Sequence, residues 1–167
     1  MKATSTFAVF IGILFLVSLF YTEAAFGESE DIEVYKPIVL AGTFVFNPRT
    51  HKWAAINDNG KVIRSGRASG GRGYCPDIGR SCRTPSGVFH VIQKGGPSCR
   101  SSRYPVGGGG APMPYCMFFS KYYAVHGSYD VPNHNASHGC IRVRPKDARW
   151  LHSNFMKIGT KVIVKSY

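Results

Sequence analysis

The chain has 167 residues, 44% of them hydrophobic, and carries a formal net charge of +12. Such a length bounds it to one ordinary domain with enough chain to bury a core. The basic balance either suits an anionic polymer outside the cytoplasm (cell wall, lipid headgroups or another polyanion) or serves solubility alone, while the scatter of the basic residues argues against nucleic acid.

Residues 1–25 read as a secretory signal peptide. Lys2 gives a thin positive start, residues 7–21 form an apolar run broken only by Gly12 and Ser18, and Ala24 and Ala25 supply small residues for cleavage. That run is shorter than the ~20 residues of a membrane span, so the expected contact with a membrane is through the signal alone. The first cysteine is Cys75, which argues against a lipoprotein anchor. The expected location is outside the cytoplasm: periplasm, cell wall or the extracellular space. Glu28, Glu30, Asp31 and Glu33 mark residues 26–35 as an acidic, flexible lead-in. From Lys36 onward 20 Lys and Arg face four acids, Asp58, Asp77, Asp130 and Asp147.

Residues 36–167 form the expected domain. β-branched and aromatic residues over 38–46, a turn at Asn47-Pro48, a second run over 52–56, an Asp58-Asn59-Gly60 turn and a third run over 62–65 predict an antiparallel meander. Residues 66–84 are glycine-rich and read as a loop. A strand over 87–93 follows the tight turn at Thr84-Pro85-Ser86-Gly87. Residues 95–114, with four consecutive glycines from Gly107, read as an exposed connection or as a mobile flap. Residues 117–125 form an apolar run consistent with a buried strand leading into His126. Pro145 suits a first helical turn with Asp147 at its positive end, and Ala148, Leu151 and Phe155 keep helical spacing. Residues 161–165 alternate as a closing strand.

Five cysteines in an exported chain fit two disulfides and one free thiol. Cys75, Cys82, Cys99 and Cys116 are the disulfide candidates, which allow three connectivities. The short-range pairing, Cys75 with Cys82 and Cys99 with Cys116, is favoured. Cys140 remains, within Ser137-His138-Gly139-Cys140-Ile141-Arg142. Nearby histidines and an arginine are the surroundings that lower a thiol pKa and make a nucleophile. His126 is the candidate base and the Gly127 carbonyl its orienting group. Gly139 lets a substrate carbonyl approach backbone N–H groups in an oxyanion hole. Arg142 offers a fork suited to a carboxylate. His138 either shapes the loop or touches substrate, and His134, between two asparagines, reads as a solvated loop residue. The Asn135-Ala136-Ser137 sequon is of a kind that arises by chance.

These motifs resemble the L,D-transpeptidases, the YkuD family of peptidoglycan enzymes. The resemblance rests on Thr84-Pro85-Ser86-Gly87, on residues 112–117 around Tyr115 with Cys116 where a tryptophan is usual, and on His126-Gly127. It extends through residues 137–142, the helix from Asp147 and the last strand from Gly159. It implies a mainly β fold, sandwich- or barrel-like, with one helix near the C-terminus, and it lies near small exported members described as enhanced-entry proteins. It further implies Cys140 as the acylated nucleophile, His126 as base and Gly127 as its orienter. Ser137, His138, Gly139, Arg142 and Tyr115 fall at supporting positions, Tyr115 as core or cleft wall. No cofactor or metal is implied. The implied partner is a peptidoglycan tetrapeptide stem, and the acceptor a second stem, a lipoprotein lysine or water. Two other classes compete. One is a zinc hydrolase using His126, His134, His138 and Cys140, disfavoured because Asp130 is the only acid nearby. The other is a non-catalytic basic surface or entry protein that binds cell-wall or host polyanions.

Overall fold

The structure, a computed structural model, describes residues 42–167. The expected signal peptide, the acidic lead-in and the start of the first expected strand lie outside the described residues. The meander is formed by β1 (Thr43–Asn47), β2 (Lys52–Ile56) and β3 (Val62–Ser69), paired antiparallel. Its side-chain alternation sends Phe44 and Phe46 of β1 and Trp53 and Ala55 of β2 into the core. The turn before β3 closes through the Gly60 N–H, which donates to the Asn57 carbonyl at 2.9 Å. β3 runs four residues past its expected end. Gly66 is an interior strand position here because a Cβ there would come within 2.8 Å of the Trp53 indole nitrogen. Its glycine makes room for a tryptophan and does not open a loop.

The single strand expected over 87–93 is two: β4 (Gly87–His90) and β5 (Gln93–Lys94). Between them the Val91 N–H donates to Thr160 and the Ile92 N–H to Phe118, so the chain changes partners within two residues. The run expected over 117–125 is likewise a hairpin, β6 (Met117–Ser120) and β7 (Tyr123–Gly127), reversed at the exposed Lys121 and Tyr122. β8 (Ile141–Val143) and β9 (Lys161–Val164) complete nine strands in the order β4-β9-β1-β2-β3-β8-β7-β6-β5. β4 and β5 stand at opposite ends of that order yet are joined by two residues, which forces the sheet to curl until its ends meet. Phe89 of β4 and Phe119 of β6 pack across the closure with ring centroids 5.3 Å apart.

The mixed sheet has two parallel pairings, β1 with β9 and β7 with β8. The chain between β7 and β8 is the long connection a parallel pair requires, and here it carries the cysteine motif. After β8, α1 (Pro145–Trp150) starts at the proline and passes into a wider π-type turn at Leu151–Phe155. Ala148, Leu151, Phe155 and Met156 cover the inner face of the sheet with Val125, Ile141, Val143, Val162 and Val164. Asp147, buried in the first helical turn, accepts a hydrogen bond from Arg64 of β3 at 2.9 Å. This ties the helix to the meander. Both disulfides follow the favoured pairing, Cys75–Cys82 and Cys99–Cys116, and Cys140 is the free thiol.

Candidate active site

β7 and β8 lie side by side in register, with Val125 opposite Ile141 and His126 opposite Arg142. Side chains alternate along a strand, so His126 and Arg142 share a face, and Cys140, two residues before Arg142, turns to the same side. Val125, Ile141 and Val143 take the other face, into the core. The pleat thus sorts one apolar run into a packing side and a reactive side. Cys140, His126 and Arg142 line one cleft of about 220 Å³, together with Ser137, His138 and the loop from Arg100 to Met113.

The His126 Nδ1–H donates to the carbonyl of Gly127 at 2.9 Å. A carbonyl only accepts, so the proton sits on Nδ1 and the lone pair on Nε2. Burial pushes the His126 pKa down to about 4, helped by the positive charge of Arg142 and opposed by the Gly127 hydrogen bond. The Cys140 thiol faces the Tyr122 carbonyl at 3.9 Å. Burial raises its pKa, and the Ala124 N–H and Arg142 offset only part of that rise. The sequence reading expected neighbouring positive groups to yield a thiolate. In the folded protein desolvation outweighs those charges: the His126 pKa is depressed and the Cys140 pKa is raised.

The turn before Cys140 is fixed by hydrogen bonds. Ser137 Oγ donates to the Cys140 carbonyl at 2.5 Å and accepts from the Gly139 N–H at 3.0 Å. The Gly139 N–H is therefore spent on the turn. Glycine is needed there for space and conformation: its φ is +123° and a Cβ would fall 2.4 Å from the Tyr123 ring. Thr84 Oγ1 accepts from the Gly71 N–H at 3.0 Å and donates to the Gly139 carbonyl at 2.8 Å. The Thr84-Pro85 turn thus grips the cysteine motif from below. This role has no local signal in the sequence, because 55 residues separate the partners.

His138 Nε2 meets the Asp77 carboxylate at 2.8 Å, and its ring stacks on Tyr104 at 4.4 Å. Asp77 sits in the loop stapled by Cys75–Cys82 and Tyr104 in the loop stapled by Cys99–Cys116, so His138 joins both. Arg142 Nη1 pairs with Asp130 at 2.6 Å at the cleft edge. Of the two places expected for Tyr115, core or cleft wall, the structure gives the core, and Tyr115 does not line the cleft. Its left-handed backbone, φ 57°, turns the side chain onto the core and the His152 ring, and Met113 lines the cleft instead. His134 is exposed. The four residues weighed as zinc ligands do not gather. Among the described residues, the group with metal-ligand spacing is Cys75, Asp77 and His138, and Cys75 is committed to a disulfide. Asn135 is occupied by Gly70 and Pro48 and holds the loop in place.

A family model for the L,D-transpeptidase catalytic domain, YkuD, matches residues 41–164. The chain belongs to that family. Among solved structures it is similar to the L,D-transpeptidase of Xylanimonas cellulosilytica, at 32% identity and a TM-score of 0.63, covering 74% of this chain and 59% of that one. It is similar also to L,D-transpeptidase 1 of Mycobacterium tuberculosis, at 25% identity and a TM-score of 0.57, covering 75% of this chain and 62% of that one. L,D-transpeptidase 3 of the same organism, solved with a faropenem-derived adduct, shares the fold at 24% identity and a TM-score of 0.61, covering 75% and 60%. The chain spans about three-fifths of the length of these structures. No curated protein matches it.

Proposed function

We propose that this chain is an exported cysteine-dependent L,D-transpeptidase that acts on peptidoglycan tetrapeptide stems. The observation that carries the reading is the presence, in one cleft, of the half-buried free thiol of Cys140 and of His126, whose Nδ1 is tied to Gly127 so that Nε2 is the basic nitrogen. Family membership supports the transpeptidase class and the peptidoglycan substrate.

A His126 whose pKa burial has depressed suits this chemistry as a base. The donor's carbonyl between the third residue and the terminal D-alanine approaches Cys140. His126 Nε2 takes the thiol proton as sulfur attacks, so the thiolate forms only as it is consumed. The Cys140 N–H is the candidate donor to the tetrahedral oxyanion. Collapse breaks the amide bond, the imidazolium gives its proton to the leaving amine, and D-alanine departs from a Cys140 thioester. An acceptor amine then attacks the thioester, passes its proton to His126 and leaves the thiol restored. A second stem as acceptor forms a crosslink, a lipoprotein lysine anchors a protein, and water trims D-alanine.

The test is incubation of mature, oxidatively folded protein with disaccharide-tetrapeptide muropeptides, read by mass spectrometry, with Cys140→Ala in parallel. Crosslinked dimers or D-alanine release, absent in the variant, are expected. No turnover and no adduct on Cys140, in folded protein with a free thiol there, would favour the non-catalytic polyanion-binding reading.

A further inference from the structure

The cleft holds charge that the chemistry above does not use. Arg100 and Arg103 on the loop and Lys121 at the β6–β7 reversal all line it. Arg103 and Lys121 converge on one aromatic ring, that of Tyr122, with the guanidinium carbon 4.7 Å and the ammonium nitrogen 5.3 Å from its centroid. Arg100 donates to the Gly110 carbonyl at 2.6 Å, which holds it along the same loop. Two cations drawn to one ring repel each other unless a negative charge joins them.

The described residues supply none. Of their four acids, Asp77 pairs with His138, Asp130 with Arg142 and Asp147 with Arg64. The fourth, Asp58, lies in the β2–β3 turn and lines a separate groove with Lys157 and Lys161. The cations line the same cleft as Cys140, and the ring they share belongs to Tyr122, whose backbone carbonyl the thiol faces at 3.9 Å. The loop that carries Arg103 is closed at its base by Cys99–Cys116.

We infer that Arg103 and Lys121, with Arg100 behind them, form an anion-binding subsite that selects donor peptides bearing free carboxylates over donors whose carboxylates are capped as primary amides. The inference rests on the peptide-donor reading above and names which form of the donor the site takes. A carboxylate seated between the two cations would position the scissile carbonyl over Cys140.

The experiment compares two synthetic tetrapeptide donors that differ only in free against amidated carboxylates. Binding to the Cys140→Ala protein is measured by calorimetry at low and high salt, and turnover by the wild type is measured in parallel. The expected result is about tenfold tighter binding of the free-acid donor, on the order of two partly screened ion pairs, shrinking at high salt. In turnover the preference should reside in KM, since the contact forms before the transition state. The double variant Arg103→Gln, Lys121→Gln, or either single variant if the double melts early, should bring the two donors within about twofold of each other. Lys61→Gln, on the distant β2–β3 turn, should retain the full preference. Equal binding of the two donors by the Cys140→Ala protein, or a preference that survives the double variant, would overturn the subsite. Failure of the wild type to turn over either donor would count instead against the transpeptidase reading, and the binding comparison would still decide the subsite.

Discussion

The two walls of the cleft are built by different physics. One wall is sheet: His126, Cys140 and Arg142 are set by the parallel register of β7 and β8, whose other face is core. The other wall is loop: residues 100–113 carry the run from Gly107 to Gly110 and contribute little to the core beyond Met113. Hydrophobic burial places the reactive groups, and covalent staples place the surface that meets substrate. Groups that must agree to a fraction of an ångström sit on the rigid wall, while the wall that can vary with substrate is held by cysteines.

The sharpest way to break this comparison is on the sheet wall. His126→Gln keeps the side-chain volume and removes the base. Turnover should fall by about 10²–10⁴, the usual contribution of a positioned proton acceptor, with little change in donor binding. Single-turnover acylation of Cys140 followed by mass spectrometry reads it directly. Retention of near wild-type acylation would mean that the thiol ionises without His126.

The same histidine makes a prediction about pH. Its folded pKa lies near 4, below the usual 6.5. The unfolded chain therefore takes up the proton first as pH falls, so stability is whole above 6.5 and is lost between 6.5 and about 4. With the side chain buried, the loss is about 3 kcal/mol. Urea melts of wild type and His126→Gln across that window should show the slope in the first and its reduction in the second. The acid limb of kcat/KM should lie well below the usual histidine range for the same reason.

The loop wall is tested by its staple. Replacing Cys99 and Cys116 together by serine frees a loop closed over a separation of 17 residues, against 7 for Cys75–Cys82. Loop-closure entropy gives about 3 kcal/mol for the longer loop and slightly less for the shorter. Loss of the longer staple should also raise KM, because Arg103 and Tyr104 lose their anchor, while His126 and Cys140 keep their sheet positions. Denaturant melts and donor titrations separate the two effects. A fall in kcat with KM unchanged would show that the loop positions the chemistry itself.

The sheet wall was the more legible in the sequence. The meander, the turn at Gly60, the helix from Pro145 and the spacing of His126 and Cys140 all leave local patterns. Cysteine arithmetic left three connectivities open, and the favoured short-range one is the one formed. Contacts that join distant loops leave no such pattern: Asp77 lies 61 residues from His138, and Thr84 lies 55 from Gly139. The break between β4 and β5 was hidden because Val91 and Ile92 are good strand residues, and only the curl of the sheet gives them different partners. The balance of effects on the thiol is illegible for a related reason. Sequence shows which charges are near Cys140, but its desolvation depends on how closely β7 and the loop wall cover it.

The smallest effect is expected where the two walls meet. Asp77→Asn removes the charge facing His138 but leaves an amide able to hydrogen-bond the ring. Both side chains are partly open to water, 23% exposed for His138 and 42% for Asp77. Such a pair contributes at most about 1 kcal/mol, less in salt. Stacking of His138 on Tyr104 is untouched by the substitution, and the Ser137 and Thr84 bonds still hold the turn. Denaturant melts of the variant should therefore lie within about 1 kcal/mol of the wild type, and turnover should change by less than about threefold. A loss comparable to that of removing a disulfide would show that this contact, and not the staples, joins the loop wall to the sheet wall.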